Sequence, residues 1–505
     1  MPELLRDTAT APADAEITVA DAERRLHPMS WLFVLLQQLK QFIVPLIAAF
    51  FFGGDRNELW SLIGVGVLAA FSVWRYFTYR YGVAGDSLVV RSGLLERSLR
   101  VIPFARIHNV ALQQSLLHRV FGVAEVRLES AGGQRPEAEM RVLKLVDALA
   151  LEALVRRRGA IAVEGAPATA ETVTPLLSMP IGEVIRMGLV SNRGLIVVGA
   201  AIGGLSQFNQ RLIPNLFEQS ALSVAGWMDQ QHFGATTYVI AGLGLLVLAV
   251  AALRLFSILL ALLQYYGFTL SEHGRRLTVE RGLLARWRTS ASRRRIQAWT
   301  LKEGVLHRLL KRRSLEIDTA VAEDQNQQRA LRELAPIATP AACDALVEHL
   351  LPKARWSQLD WRALPSGHWW RLFVPGIPFV LLATAALSWR FGTWGLLALL
   401  WLPWSAYKAY RQAQRAAYTV GEGLVAVREG WWSRYWRFAE LDKLQALQLT
   451  RNPLDRRCGT ATLWLDTAGA GAMAPPLRIR FLPEGEAQAL FDVLSRTLAR
   501  RRLKW

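Results

Sequence analysis

The chain has 505 residues, of which 52% are hydrophobic, and yet its formal net charge is +19. A single soluble domain does not combine positive mean hydropathy with such a charge, whereas a membrane protein with basic soluble parts does. Its two cysteines, Cys343 and Cys458, lie far apart and show no CxxC spacing, which argues against a disulfide framework or a zinc site.

The first 28 residues are rich in Ala, Asp, Glu and Thr and lack the apolar core of a signal peptide. We predict that this tail is disordered. The first apolar segment, Trp31–Phe52, is followed by the loop GGDRNE and a second segment, Leu59–Phe77. Because only helices and closed barrels satisfy the backbone in lipid, two apolar segments joined so tightly predict a helical hairpin.

The same arrangement recurs twice along the chain. Leu195–Phe208 pairs with Thr237–Tyr266, and Leu372–Trp389 pairs with Thr393–Tyr410, which predicts six spanning helices in three hairpins. A short proline-containing segment precedes each hairpin, and we predict that these segments lie at the membrane interface. They are Leu26-His27-Pro28, Met179-Pro180 and Leu364-Pro365.

The distribution of basic residues predicts the orientation. The loops between paired helices, 53–58, 209–235 and 390–392, hold only Arg56, Arg211 and Arg390 of the 60 Lys and Arg residues. By the positive-inside rule the opposite side is cytoplasmic. We therefore expect a multi-pass protein of the inner (cytoplasmic) membrane, with both termini and all soluble modules in the cytoplasm.

Between the hairpins, the hydrophobic pattern changes from helical to strand-like. Apolar residues alternate before turns at Gly93, Gly282 and Gly430, which predicts antiparallel β-hairpins. A helix with apolar periodicity then closes each module. These helices are predicted over Leu145–Arg157, Ala341–Leu351 and Glu484–Arg500.

The segment Pro103–Gly133 occurs three times without gaps, at shifts of 189 and 337 positions. The shifts superimpose a basic residue before the same strand and a second one after it. The first set is Arg106, Arg295 and Lys443, and the second is Arg119, Arg308 and Arg456.

The pattern P-x-x-R-I-x-x-V, then a basic residue, then a strand ending in Ser/Thr-Ala, directly after a paired apolar segment, resembles the membrane-flanked bacterial pleckstrin-homology-like (PH-like) family. The resemblance implies an α+β membrane protein in which each of three hairpins precedes a cytoplasmic PH-like β-barrel with a C-terminal helix. It implies no catalytic residues. It also implies an association with envelope stress or tolerance to membrane-active peptides. The third copy departs most, with Glu440 in place of Pro103.

This interpretation divides the chain into eight segments. They are a disordered tail (1–28), hairpin 1 (29–79), PH-like domain 1 (80–160), a linker (161–178), hairpin 2 (179–266), PH-like domain 2 (267–352), an interfacial segment with hairpin 3 (353–411) and PH-like domain 3 (412–505).

Catalytic signatures are absent from the sequence: it has no GxSxG, HExxH or phosphate-loop motif, and we predict no enzyme activity, no metal and no cofactor. His118 and His307 are equivalent in two copies. We interpret them as partly buried side chains that hold a turn.

The basic residues are the candidate binding residues. Clusters beside a membrane attract anionic headgroups by about 1 kcal/mol per charge, although they could also only enforce topology. The candidates are Arg106, Arg295, Lys443, Arg119, Arg308, Arg456, Arg293 and Arg294. For Arg106, Arg295 and Lys443 the favoured reading is that they brace the barrel. Arg254 lies within an apolar segment, where a charge is costly and can mark a functional site.

The favoured function is therefore binding or scaffolding at the inner membrane surface. The predicted partners are membrane lipids with anionic headgroups; a membrane-protein partner or a homo-oligomer stays open, and no nucleic-acid motif is present. The alternative is a component of a transporter or exporter, but the spans lack the acidic residues of a transport path.

Overall fold

The structure is a computed structural model of the whole chain. It describes residues 24–25, 27–33, 35–36, 78–92, 98–130, 138–161, 174–208, 235–274, 276–319, 332–421, 423–468 and 474–500, with isolated positions between 66 and 74 and between 215 and 226. The chain divides into two compact units, residues 1–169 and 170–505. Most of predicted hairpin 1 lies outside the described residues.

The described part of the first unit includes seven strands and two α-helices, besides the helical residues 30–33 and 35–36. They are β1 (Arg24–Arg25), β2 (Arg80–Ala84), β3 (Ser87–Ser92), β4 (Ser98–Pro103), β5 (Ile107–Gln114), α1 (Leu116–Val120), β6 (Val123–Ser130), β7 (Ala138–Lys144) and α2 (Leu145–Ile161). Strands β1 to β4 pair antiparallel in chain order, as do β5 to β7. Their alternating apolar residues face one core, together with α2.

The second unit begins with strand β8, which is followed by two consecutive helices, α3 and α4, and later by a long third helix, α5. Its elements up to the second closing helix are β8 (Thr174–Ser178), α3 (Ile181–Val190), α4 (Arg193–Phe208), α5 (Ala235–Tyr265), β9 (Thr269–His273), β10 (Arg276–Arg281), β11 (Arg286–Ser292), β12 (Ile296–Glu303), α6 (Val305–Leu309), β13 (Arg313–Thr319), β14 (Glu333–Ala338) and α7 (Pro340–Leu350). Strands β8 to β11 pair antiparallel in chain order.

The third repeat completes this unit. It comprises β15 (Arg362–Ala363), α8 (Trp370–Phe373), α9 (Ile377–Phe391), α10 (Trp401–Arg415), β16 (Ala417–Val420), β17 (Leu424–Glu429), β18 (Arg434–Glu440), β19 (Leu444–Thr450), α11 (Pro453–Cys458), β20 (Thr460–Thr467), β21 (Arg478–Pro483) and α12 (Glu484–Ala499). A 3₁₀ helix, Gly392–Leu400, lies between α9 and α10. The three closing helices, α2, α7 and α12, lie where the sequence predicts them.

Apolar helices in the described part of the chain are fewer than the six predicted. Two stretches, Val239–Tyr265 and Ser366–Arg415, are long and apolar enough to cross a membrane. The bent pair Ile181–Val190 with Arg193–Gly204 makes a third if it counts as one span. The six-span prediction is therefore not confirmed, and two or three spans are what the described residues support.

The stretch Ser366–Arg415 turns sharply at Gly392, as predicted. Gly392 has a φ of +63°, a backbone conformation that residues other than glycine rarely adopt. Just beyond it, a Cβ atom on Gly395 would lie 2.2 Å from the backbone nitrogen of Ser388. The 3₁₀ helix therefore packs back against α9 in direct backbone contact.

The prediction of one closed barrel per repeat is wrong. Strand β12 has β13 on one side and β18 of the next repeat on the other. It therefore cannot pair with β11 of its own repeat, which closure would require. One sheet, in the order β14-β13-β12-β18-β17-β16-β15, joins the second half of repeat 2 to the first half of repeat 3. Repeats 2 and 3 are therefore open sandwiches that share this sheet.

Candidate functional site

The soluble part of repeat 2 has one end against the apolar helix and one end far from it. The Gly282 amide donates to the Tyr266 carbonyl at 2.9 Å, and the Leu283 amide donates to the Leu263 carbonyl at 3.0 Å. The β10–β11 turn therefore lies at the end of α5; we call this the span end. At about 3.3 Å per strand residue, the seven residues of β11 place Arg293 about 20 Å away, at the far end.

Repeat 3 has the same polarity. In its β17–β18 turn, the Trp431 ring lies 5.3 Å from that of Tyr407, and the Trp432 ring lies 5.7 Å from that of Trp404. Tyr407 and Trp404 belong to α10. Aromatic side chains concentrate where apolar and aqueous phases meet, so this cluster marks the span end of repeat 3.

The short helix after the fifth strand of each repeat, α1, α6 or α11, contacts the start of a predicted hairpin or the segment that precedes it. In repeat 1 the His118 ring packs 4.2 Å from that of Phe33. In repeat 2, Arg312, just after α6, forms an ion pair with Glu183 of α3 at 2.7 Å. Three different chemistries, the third of them in repeat 3, therefore hold the three equivalent helices beside the predicted hairpins.

The contact in repeat 3 is a buried ion pair. Arg371 of α8 reaches Asp455 of α11 at 2.5 Å and donates to the Thr460 hydroxyl at 2.8 Å. Burial alone would raise the pKa of Asp455, but hydrogen bonds from Arg371, the Asn452 backbone and Thr460 outweigh it and hold the pKa below its ordinary value. Asp455 is therefore ionised at neutral pH and anchors the helix.

The predicted role of His118 in holding a turn agrees with its contacts. Its Nδ1 lies 2.6 Å from the Ser115 hydroxyl, which also accepts from the His118 amide and so caps α1. Its equivalent, His307, has its pKa lowered by burial. Among the described residues, no group of three His, Cys, Asp or Glu side chains is placed to hold a metal ion.

Each short helix exposes a leucine two residues before a predicted binding cation. Leu117, Leu306 and Leu454 are equivalent by the repeat shifts and are 44%, 37% and 40% exposed. Arg119, Arg308 and Arg456 follow them. Arg119 and Arg456 are exposed, while Arg308 is half-buried and donates to the Trp432 carbonyl at 3.2 Å. We call this arrangement the Leu-x-Arg helix.

Most of the other predicted cations of repeats 2 and 3 lie at the far end. Arg293 forms an ion pair with Glu272 at 2.7 Å and donates to the Leu350 carbonyl at 2.6 Å, which ties β11 to the end of α7. Lys443 donates to the Arg294 carbonyl at 3.0 Å, so repeats 2 and 3 meet here. Arg294 is exposed.

The two remaining members of the first cation set differ in environment. Arg295 is half-buried, and burial lowers its pKa to about 10, so it keeps its charge at neutral pH. Arg106, its equivalent in repeat 1, is exposed. The structure therefore separates the predicted residues of repeats 2 and 3 into two groups instead of gathering them into one site.

Arg254 has a local structural role. Its Nη1 donates to the carbonyls of Leu189 and Ser191 at 3.1 and 3.2 Å and lies 3.4 Å from the Asn192 side-chain oxygen. These carbonyls belong to the break between α3 and α4, where helical partners are missing. A cation at a helix C-terminus also complements its dipole. Arg254 therefore caps a broken helix.

A comparison with protein families finds one match for each of the three repeats. The model of the bacterial PH domain family matches residues 34–159, 221–349 and 372–498. The chain belongs to this family. It is also 23% identical, over 421 residues, to the UPF0699 transmembrane protein YdbT of Bacillus subtilis (strain 168), a match that covers 79% of this chain and 83% of that protein. No solved structure matches the chain.

Sequence reasoning missed the exposed leucines of the three PH domains. The signal was available, because the shifts that align Arg119, Arg308 and Arg456 also align three identical leucines two positions earlier. An apolar residue on a short helix is normally assigned to the core, and only the structure separates exposed leucines from buried ones.

Proposed function

We propose that this chain is a non-enzymatic integral membrane protein whose PH domains contact anionic headgroups of the inner membrane surface through the Leu-x-Arg helices. The observation that carries the proposal is the recurrence, in all three domains, of an exposed leucine followed by a cation on the short helix that packs beside a predicted hairpin. The chain's membership of the bacterial PH domain family and its likeness to a transmembrane protein support the same setting.

The chemistry of this pair suits a bilayer surface. A leucine side chain moved out of water contributes about 1.5–3 kcal/mol when fully buried. A basic residue near an anionic leaflet contributes about 1 kcal/mol. In repeat 2, Leu309 adds a second apolar side chain on the same helix, 77% exposed. In this proposal the apolar helices already hold the domains at the membrane, so these small contributions act at high effective concentration. Their expected effect is to fix the orientation of each domain.

Depth-dependent fluorescence quenching in the full chain tests the proposal. A fluorophore attached at Leu306→Cys, in a Cys458→Ser background with the buried Cys343 retained, is read in nanodiscs whose lipids carry a quencher near the headgroup. We expect strong quenching that increases with the anionic lipid content. The matched control is Arg294→Cys, exposed at the far end of the same domain, where we expect little quenching.

The charge contribution is tested separately. Arg308→Gln keeps a donor for the Trp432 carbonyl but removes the charge. We expect the fluorophore at position 306 to remain quenched while its preference for anionic lipid falls several-fold. Equal quenching at positions 306 and 294, or none at 306, would refute the proposal. The resemblance to a family associated with envelope stress adds a physiological prediction. Cells that lack this protein should be more sensitive to membrane-active peptides.

A further inference from the structure

The junction between repeats 2 and 3 is a template for how two of these PH domains join. Strands β12 and β18 pair antiparallel over five residues, from Trp299 opposite Phe438 to Glu303 opposite Arg434. The rings of Trp299 and Phe438 lie parallel, with centroids 6.2 Å apart. Phe438 of repeat 3 belongs to the core of repeat 2, so the junction has the character of a domain interior.

A buried ion pair fixes this junction. Arg437 of β18 lies 2.5 Å from Asp318 of β13, and the two side chains are 1% and 5% exposed. Arg437 also donates to the Thr300 hydroxyl at 2.7 Å. A buried pair specifies its partner strongly, because either charge alone in the interior is costly.

The two strands equivalent to this junction belong to repeats 1 and 3. The 337-residue shift places β18 on β4 of repeat 1, and the 148-residue shift between repeats 2 and 3 places β12 on β19. Strand β4 is the last strand of the sheet β1-β2-β3-β4, and β19 is the first of the sheet β19-β20-β21. Thus the two complementary edges that join repeats 2 and 3 occur again, one on repeat 1 and the other on repeat 3.

At both edges, the strand register and the charged residues match those of the junction between repeats 2 and 3. Arg437 pairs with Val427 and Arg100 pairs with Val90, its equivalent. On the other side, the pair Ala298–Asp318 recurs as Ala446–Asp466. Both members of the buried ion pair are thus present again, as Arg100 and Asp466. Repeat 2 has Thr289 at the position of the arginine, so the strand itself does not require a charge there.

Exposure distinguishes the end strands from the joined ones. Leu99 and Val101 of β4 are 41% and 40% exposed, whereas Phe438, the equivalent of Val101, is fully buried. Arg100 and Asp466 are both exposed, whereas their equivalents Arg437 and Asp318 are buried. On β19, residues Gln445, Ala446 and Gln448 are exposed. The apolar and charged groups exposed on these edges are therefore equivalent to groups that are buried in the junction between β12 and β18.

We propose that copies of this chain associate head to tail, with β19 of one copy added to β4 of the next. The register of the internal junction places Val101 opposite Leu447 and Leu99 opposite Leu449, with Arg100 and Asp466 forming the interchain ion pair. Pairing of this kind joins the last strand of one sheet to the first strand of another through main-chain hydrogen bonds. Because the two surfaces differ, the contact generates a ring or an open row in the membrane plane.

A charge exchange between two tagged copies of the full chain tests the ion pair. One copy carries Arg100→Glu and the other carries Asp466→Arg. Either variant alone places like charges at every contact, so we expect its self-association, measured by co-purification from native membranes, to fall by about tenfold or more, in the range for a broken pair. In the mixture, every contact between unlike copies has opposite charges, and we expect recovery to the unmodified level.

The control for this exchange is Asp442→Arg mixed with Arg100→Glu. Asp442 is exposed beside β19 but lies outside the strand, so no recovery is expected. Recovery with Asp442→Arg, or no difference between the single variants and the mixture, would overturn the proposal. Because recovery needs two folded chains, a folding defect cannot imitate the expected result.

Thiol cross-linking tests the register independently of charge. One tagged copy carries Val101→Cys and the other Leu447→Cys, both in the Cys458→Ser background, and a short bifunctional thiol reagent is applied to native membranes. We expect a cross-linked dimer at least several-fold above that formed with Val83→Cys. Val83 is 44% exposed on β2 and belongs to the same sheet, but not to its edge strand. Equal yields at positions 101 and 83 would exclude pairing of β19 with β4.

Discussion

Arg371 and Asp455 form a buried ion pair at 2.5 Å between the start of a hairpin and the short helix of the third PH domain. Both side chains are 3% exposed. The same contact is made by Phe33 with His118 in the first domain and by Glu183 with Arg312 in the second. What recurs is the position of the contact, while its chemistry changes from aromatic to ionic.

Breaking this pair in the full chain should destabilise the third domain strongly. Asp455→Asn leaves Arg371 as a buried cation without its counter-charge, which costs about 3–5 kcal/mol. Thermal unfolding in detergent should show a much lower midpoint for this variant. The control, Arg456→Gln, changes an exposed charge on the same helix and should leave the midpoint almost unchanged. Equal midpoints for the two variants would contradict an anchoring role.

Glu272 predicts how stability depends on pH. Burial would raise the pKa of Glu272, but hydrogen bonds from His349 and Arg293 outweigh it and lower the pKa below its ordinary value of 4.5. A carboxylate with a lowered pKa stabilises the fold above its unfolded pKa, and this contribution is lost as pH falls through the folded value. Stability should therefore decline on acidification below about pH 4.5, the ordinary carboxylate range.

Glu272→Gln isolates this contribution. The variant should be less stable at pH 7 by about 1–3 kcal/mol, because charge-assisted hydrogen bonds are lost. It should also lose less stability than the unmodified chain between pH 7 and pH 3. Glu280→Gln, whose side chain is 50% exposed, serves as the control and should change neither quantity appreciably. An unaltered acid limb in Glu272→Gln would show that other carboxylates dominate.

The bracing role expected of Arg295 is now predicted for its neighbour Arg293. Arg293 holds Glu272 and the end of α7, whereas burial of Arg295 lowers its pKa to about 10. A cation with a lowered pKa opposes folding at neutral pH, because its charged form is better solvated in the unfolded chain. Arg293→Met should therefore lower the unfolding midpoint, while Arg295→Met should leave it unchanged or raise it. The reverse ranking would restore the original expectation.

The orientation predicted from basic residues is tested by thiol labelling in intact cells. With Cys458 replaced by serine, Gln219→Cys, in the loop between the second pair of helices, should react with an impermeant reagent. Arg294→Cys, exposed on a PH domain, should react only after permeabilisation. Labelling of position 294 in intact cells would place the domains outside and invert the topology.

The sequence predicted the repeats, the strand hairpins, the three closing helices and the family, because each follows from local periodicity or from comparison of the chain with itself. It did not predict which edges pair. Strand β12 has the same alternation whether its neighbour is β11, a few residues away, or β18, more than 130 residues later. Asp318 and Asp466 aligned in the repeat, but nothing local indicated that Arg437 would meet one of them.

The shared sheet predicts that the second PH domain is not an independent folding unit. In residues 267–352 alone, β12 loses β18, and Trp299 loses its stacking partner Phe438. The amides that face β18 should exchange hydrogen rapidly in this fragment but slowly in the full chain or in residues 170–505, the compact unit. Strand β13 keeps both of its neighbours, β12 and β14, and is the internal control. The fragment must be dilute, because an exposed edge promotes dimerisation. Equal protection of β12 in the fragment and in the full chain would mean that the junction with repeat 3 adds nothing to the stability of repeat 2.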